Sequence, residues 1–357
     1  MKKLNYFLLK LIYPKPGKII KPKNNEVSKI KMQNFYYKIY CINKARLYTD
    51  TIHTFAVIDK DNNLIDGPSY QIINNNFTNI KNNKTLQIGT PRKKLKLNKN
   101  IFSLLSGGGA NKNFFHWFFD VLPRLHIAEK IMRLNNIDFF LFPDISQKYQ
   151  RESLKLLKLY NKAISSIKVR HIQAKKIIAT SHPYIFSNNS DRDVRKIPKW
   201  ISLWLRKKFL KFNSKKYNFK RIYIDRRSKS GRYIKNNSEI KRFLTEKYGF
   251  KSLDLEDYSL KDQISIFNRA KIIIGLHGAG FANIIFCKKN TNILELKTNQ
   301  IGGQIKNIAI QNNLIYSSIN GVLQKKALNQ QGEIEIPLNI LKKKLKVLFN
   351  WRGSSVG

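Results

Sequence analysis

Three stretches of this chain combine residue types that could do chemistry. The first is Ala270–Lys289, AKIIIGLHGAGFANIIFCKK. Ile272–Gly275 reads as a buried strand. Gly275-Leu276-His277-Gly278-Ala279-Gly280 reads as a tight turn, and Phe281–Phe286 as the first turns of a helix. Glycines let a backbone approach a phosphate closely, and the free amides of a first helical turn point at it. His277 adds a side-chain donor at the mouth. A glycine cluster alone would serve equally as a chain reversal; a His inside it, between strand and helix, favours an anion site. Glu295, in the next strand-like run Asn292–Leu296, stands where an acidic residue at a strand end can hold a ribose.

The second stretch is Asp225-Arg226-Arg227-Ser228-Lys229-Ser230-Gly231-Arg232, directly after a short strand at Arg221–Ile224. Arginines present forked donors suited to a diphosphate. Its place after a strand is what separates this basic loop from a merely solvated one. The third is Asn113–Asp120, NFFHWFFD, continuing to Pro123-Arg124. His116 and Asp120 are four apart, so a helix puts them on one face. They are polar residues among aromatics, and burying them is unfavourable unless they are partnered. Two roles fit equally: a pair that fastens the helix into its core, or a general base with its partner. Apolar neighbours would tend to raise the Asp120 pKa and a charged His116 to lower it, so Asp120 is the expected base, with His116 a near equal. His126 and His182 look isolated.

These residues need elements to position them. From Phe219 onward, strands and helices alternate: strand 221–224, helix 238–248, strand 251–255, helix 260–270, the strand and turn at His277, strand 292–296, helix 302–311, strand 314–317. That alternation predicts an α/β fold with a parallel, doubly wound sheet, whose ligands bind outside the carboxyl ends of the strands. Asn236-x-x-Glu239 fits a capping box. Upstream, residues 1–45 read as basic and irregular, and 74–100 as polar loops between short strands. Strands are expected at 101–105, 138–142 and 175–180, with helices at 113–134, kinked at Pro123, and at 147–160 and 197–212. The polar run 213–218 reads as a linker, and 338–351 as a basic amphipathic helix with Leu341, Leu345 and Leu348 on one stripe. The domain expectation is thus an N-terminal region 1–100 belonging to a first domain at 101–213, and a second domain at 219–320.

Composition sets limits. A chain of 357 residues predicts two domains. A hydrophobic content of 42% with 22 Phe and 16 Tyr suffices for packed interiors. The formal charge of +46 would suggest nucleic acid. However, Lys is spread along the whole chain with Asn and Ile, not gathered in one arm, so no nucleic-acid partner is expected. A basic surface still favours anionic substrates and anionic membrane surfaces. Two cysteines, Cys41 and Cys287, give neither a disulfide framework nor a zinc spacing, which suits a reducing cytoplasm. The apolar run 5–13 is interrupted by Lys10 and stopped by Pro14 and Pro16; no stretch approaches the ~20 apolar residues of a spanning helix.

Three blocks, NFFHWFFDVLPRL, RIYIDRRSKSGRYIKNNSEI and AKIIIGLHGAGFANIIFCKKNTNILEL, together resemble the signature blocks of glycosyltransferase family 61. That family includes bacterial capsule and lipopolysaccharide enzymes, related to plant xylosyltransferases and eukaryotic O-linked N-acetylglucosaminyltransferases. The resemblance spans roughly Gly108 to Leu296. It implies a GT-B arrangement, two Rossmann-like domains facing across a cleft, and inverting transfer from a nucleotide sugar without a bound metal or other cofactor. It assigns Arg226, Arg232, His277, Gly278 and Gly280, with Ala279 between the glycines, to the donor side. Glu295 matches the acidic position after the next strand, and His116 and Asp120 match the acceptor-side block. Asp191-Arg192-Asp193 has the spacing of a metal motif but lies outside all three blocks.

The resulting expectation is a cytoplasmic glycosyltransferase, peripheral at an inner membrane, that builds a bacterial surface glycan. Its partners would be a nucleotide sugar and a glycan or lipid-linked acceptor. A non-catalytic diphosphate-binding module is the first alternative and a nucleic-acid-binding protein the second. A dinucleotide oxidoreductase would want G-x-G-x-x-G early in the chain.

Overall fold

Within the stretch 1–45, expected to be irregular, residues 27–43 hold two long strands. In the computed structural model, Val27–Met32 (β1) and Phe35–Asn43 (β2) form an antiparallel hairpin. Lys29, Lys31 and Lys38 are exposed on it, while Tyr37, Ile39 and Ile42 are buried. This is half-buried alternation with lysine on the wet face. The structure describes all residues except 1–7, 10, 11, 14, 52, 53, 74, 75, 107–111, 185–196, 215, 227–230, 299–301, 324–331 and 351–357. The expected glycine run 107–109, the Asp191–Asp193 spacing and residues 227–230 of the basic loop therefore lie outside the described residues.

The hairpin joins a mixed sheet with Arg46–Thr51 (β3), Thr54–Ile58 (β4), Leu95–Ser103 (β5), Phe139–Phe142 (β6), Ala163–Ser165 (β7) and His171–Thr180 (β8). Along its main path the order is β4-β3-β8-β5-β6-β7, with β2 also pairing β8. The strands β8, β5, β6 and β7 run parallel, whereas β2 and β3 are antiparallel to β8. Residues 95–100, expected in polar loops, form the first part of β5; its lysines Lys96 and Lys99 are exposed. Ile101, Leu141, Ile172 and Ile177 pack with Leu47, Phe55 and Val57 into one core.

The aromatic stretch after β5 is helical in three pieces: Phe114–His116 (α1), a π-helical turn Trp117–Val121, and Pro123–Glu129 (α2). Pro123 has no N–H to give to a preceding turn. The widened turn, closed by Leu122 N–H donating to the Trp117 carbonyl at 3.0 Å, lets the helix restart with proline at its first position. The helix therefore stops at Glu129, short of the expected 134. Lys148–Leu156 (α3) and Lys199–Phe209 (α4) follow. The chain divides into two compact units, Met1–Trp204 and Leu205–Gly357. The division falls inside α4, not in the polar run 213–218.

The second unit is a regular parallel sheet. Its strands are Arg221–Ile224 (β9), Lys251–Leu253 (β10), Ile272–Leu276 (β11), Asn292–Lys297 (β12) and Ile315–Asn320 (β13), in the order β10-β9-β11-β12-β13. Helices Asn237–Tyr248 (α5), Leu260–Arg269 (α6), Gln304–Gln311 (α7) and Leu338–Asn350 (α8) accompany it. Ile272, Ile274, Leu294, Leu296 and Ile319 pack on one side with Leu341 and Leu345 of α8. Both faces are covered, which is why these strands read as unbroken apolar runs. Asn236 does not make the expected capping box. Its side chain instead clamps the backbone of Ile336, donating to the carbonyl and accepting from the amide. The α/β expectation holds. Among the described residues, no helix is long and apolar enough to cross a membrane.

Candidate functional site

In the second unit the strand order reverses between β9 and β11, which makes their carboxyl ends a topological switch point. Asp225 and Arg226 leave one end, and His277 and Gly278 leave the other. Asp225 anchors its loop. Its carboxylate accepts from Asn237 Nδ2 (3.0 Å), Lys241 Nζ (2.9 Å) and Ser252 Oγ (3.1 Å). Burial pushes this carboxyl up, but those partners together hold it below the usual range. Arg226 then lies over Gly278: a Cβ built there would stand 3.4 Å from the guanidinium. Arg232 Nη1 donates to the His277 carbonyl at 2.8 Å, while its buried Nε has no partner among the described residues. Burial, and then the charge of Arg226, lower the Arg232 pKa, against which Glu295 pulls upward.

The helical turns expected at 281–286 are present as a 3₁₀ helix, Ala279–Phe286. Asn283, fully buried, donates to Gly280 O and to Gln263 of α6 (3.2 and 3.0 Å), and so fixes the turn against its neighbour. His277 is held from behind: its Nδ1 bonds the Glu295 carboxylate, whose second oxygen accepts from Tyr316 Oη at 2.5 Å. Glu295 is 1% exposed. Both of its oxygens are thus engaged by protein, which leaves the carboxylate facing His277 rather than open for the expected ribose hydroxyls. Burial and the Glu295 charge raise the Tyr316 pKa well above its ordinary value.

The first unit brings His116 and Asp120 together as the four-residue spacing predicts. His116 Nδ1 donates to Asp120 Oδ2 at 2.6 Å. Asn113 caps this helix, its Oδ1 accepting from the His116 amide at 3.2 Å. Tyr184 Oη donates to the other Asp120 oxygen at 2.6 Å, and His182 Nε2 stands 3.9 Å from Oδ2. Burial pushes the Asp120 carboxyl up, but His116, His182 and the Tyr184 hydrogen bond outweigh it, so its pKa is lowered, not raised by its apolar neighbours. Burial likewise pulls His116 down, yet Asp120 leaves it raised. Desolvation holds His182 neutral, at about 3. Asp120 is 3% exposed, whereas a third of the His116 side chain reaches solvent.

Arg124 is buried and structural. It donates to Asp120 O (2.9 Å), Thr180 O (3.0 Å) and Tyr70 Oη (2.6 Å), tying the helix to the end of β8. Tyr184, Tyr316 and His182, which looked isolated, are the site residues that sequence reasoning missed. On the same carboxyl edge of this sheet, beyond β6 and β7, lies a cavity of about 1200 Å³ with Lys112, Asn113, Arg151, Tyr160 and Lys168 on its walls. Asp144 also lines it, but its oxygens accept from Ile145 N, Ser146 N and Ser146 Oγ. Among the described residues, no group of three or more His, Cys, Asp or Glu side chains is placed to hold a metal.

These features define an α/β protein with a cationic switch point in one unit and, in the other, a His–Asp pair whose carboxylate is buried. The glycosyltransferase 61 family model matches residues 114–294, just over half of the chain. The chain belongs to that family and is a glycosyltransferase. No curated protein matches it.

Proposed function

We propose that this glycosyltransferase moves a sugar from a nucleotide-sugar donor to a glycan acceptor with inversion. In this reading the two units work as in a GT-B enzyme: the second holds the donor diphosphate, and the first supplies the base. One observation carries the donor assignment. Arg226, half-buried Arg232 and His277 converge at the switch point, and neither arginine has an ion pair among the described residues. Cations gathered in a crevice favour an anionic ligand, and they offset the charge of a departing nucleoside diphosphate. With that charge met by protein groups, transfer proceeds without a metal.

The base is His116 rather than Asp120. A base must reach the acceptor hydroxyl. Asp120 has both oxygens occupied and little exposure, while His116 keeps a partly exposed ring whose Nδ1 is tied back. His116 Nε2 takes the hydroxyl proton, the oxygen attacks the anomeric carbon, and the bond to the diphosphate breaks on the opposite face. Asp120 orients the ring and stabilises the imidazolium. The cavity beside Asn113 receives the acceptor. A role in capsular or lipopolysaccharide assembly at the cytoplasmic face of a bacterial membrane rests on family membership, not on the site. Peripheral contact with anionic lipid rests on the basic surface.

Calorimetry with UDP, GDP and ADP in excess chelator tests the donor site. One of them should bind, and Arg226→Ala with Arg232→Ala, or His277→Ala, should weaken it by ~1.5–3 kcal/mol per charge-assisted bond lost. Unchanged affinity in folded variants, or binding that needs added manganese or magnesium, would refute the proposal. Nucleotide binding without transfer to any glycan would leave only a binding module.

A further inference from the structure

His277 has a wiring of its own. Nδ1 faces Glu295, Glu295 is capped by Tyr316, and Nε2 has no partner among the described residues. The first unit repeats this pattern with different residues: His116 Nδ1 to Asp120, and Asp120 to the Tyr184 hydroxyl. In one unit the histidine and carboxylate are 4 residues apart and the tyrosine 64 further on; in the other the separations are 18 and 21. No local helix geometry produces the second case. Glu295 comes from the adjacent strand and Tyr316 from the one beyond it. A bond that only fastened the turn would not need an imidazole at its mouth, because the His277 amide already donates to Leu296 O at 2.8 Å. A carboxylate on Nδ1 fixes the ring and makes Nε2 the nitrogen that meets substrate.

We infer that His277 is the proton donor to the leaving diphosphate, and that Glu295 and Tyr316 are positioning residues for it. The inference rests on the donor reading above. As the bond between the anomeric carbon and the phosphate oxygen breaks, both electrons stay on that oxygen. The Nε2 proton of the His277 imidazolium moves to it, leaving neutral imidazole to be reprotonated from water. The charged groups around His277 are Glu295, with Tyr316 behind it, on the Nδ1 side, and Arg226 and Arg232 at the same crevice, where an arriving anion meets them together. Proton donation and arginine charge are thus coupled to donor binding.

The test uses inorganic pyrophosphate and nitrogen-15 NMR of the histidine rings in the full chain. Six histidines make the spectrum tractable, and His277→Gln assigns the resonance. In the wild type, pyrophosphate should shift the His277 Nε2 signal and raise its titration midpoint. In Glu295→Gln the midpoint should fall by about one pH unit, equivalent to about tenfold in proton affinity, at a melting temperature near that of the wild type. Tyr316→Phe should move it the same way by less, and carries the test alone if Glu295→Gln does not fold. An unchanged midpoint in the folded variants overturns the inference. So does pyrophosphate that binds by calorimetry yet leaves the Nε2 signal in place. If pyrophosphate does not bind the wild type at all, the donor reading falls and the inference falls with it.

Discussion

Asp120 and His116 divide one task between a buried carboxylate and a partly exposed ring, and their titration follows from that division. A base must be neutral, and Asp120 holds the His116 pKa above its ordinary 6.5. Turnover should therefore fall as pH drops through a value above that figure. Removing the carboxylate charge with Asp120→Asn should move this limb to lower pH and cut turnover by about 10²–10⁴-fold, with donor affinity unchanged. If folded Asp120→Asn keeps its limb and near-normal turnover, the pair is only a fastening. Stability has the opposite sign for the two groups. His116, raised on folding, stabilises fully below 6.5 and loses that contribution as pH climbs through its folded value. Asp120, lowered on folding, stabilises above 3.8 and loses its contribution as pH falls. The melting temperature gained from the pair should thus be greatest between those two values. The pair was legible in the sequence because i and i+4 fix a helical contact. Tyr184 and Tyr316 were not, because they arrive from 64 and 21 residues away. For the Asp120 pKa the sequence set apolar neighbours against His116; burial does push it up, but His116 outweighs that, with His182 and Tyr184, which the spacing could not show, adding to the lowering.

The strands of the second unit's five-stranded sheet and the helices between them were readable nearly to their ends, because buried parallel strands and amphipathic helices have different periods. Two stretches of the first unit that were missed, β1 and the first part of β5, are lysine-bearing strands. In β1 the lysines occupy the wet face of a strand that, among the described residues, pairs only with β2, and charge on such an edge discourages pairing with other chains. Charge there reports exposure, not the absence of a strand. In β11 and just after it, two glycines do different jobs. A Cβ at Gly275 would stand 2.9 Å from Ile224 Cβ and 3.3 Å from its carbonyl, so β9 and β11 approach closely at the switch point. Gly275→Ala should destabilise the fold by ~1–3 kcal/mol through overpacking. Gly278, just beyond the strand, has extended backbone, and the nearest atoms to an added Cβ would be the Arg226 guanidinium at 3.4 Å and the Leu276 carbonyl at 3.8 Å. Gly278→Ala should leave urea unfolding unchanged and weaken diphosphate binding by displacing Arg226. Equal unfolding midpoints for both variants would show that the approach of β9 to β11 is not the constraint described.

At the scale of the whole molecule, the charge of +46 needs somewhere to act. Most of it is spread over the surface and gives no address. The helix α8 is more specific. Leu341 and Leu345 are fully buried in the second unit's core, as expected of a helix packed on its own domain. The opposite face carries exposed Lys342, Lys343 and Lys346, together with Ile340 and Val347, which are 46% and 59% exposed. No acidic residue lies within the helix. Lysines around two exposed aliphatic side chains suit an anionic membrane surface, where apolar side chains enter the headgroup boundary and the charges meet phosphates. Each Lys near such a surface contributes about 1 kcal/mol at low salt, and screening over ~8–10 Å at physiological strength reduces it. The protein should therefore sediment with vesicles containing phosphatidylglycerol and not with neutral phosphatidylcholine. Lys342→Glu, Lys343→Glu and Lys346→Glu together should release it, and rising salt should do so progressively. Ile340→Ser with Val347→Ser should weaken binding at every salt concentration, because burial of aliphatic surface is not screened. Equal sedimentation with neutral and anionic vesicles would mean that the charge of this chain has no membrane role.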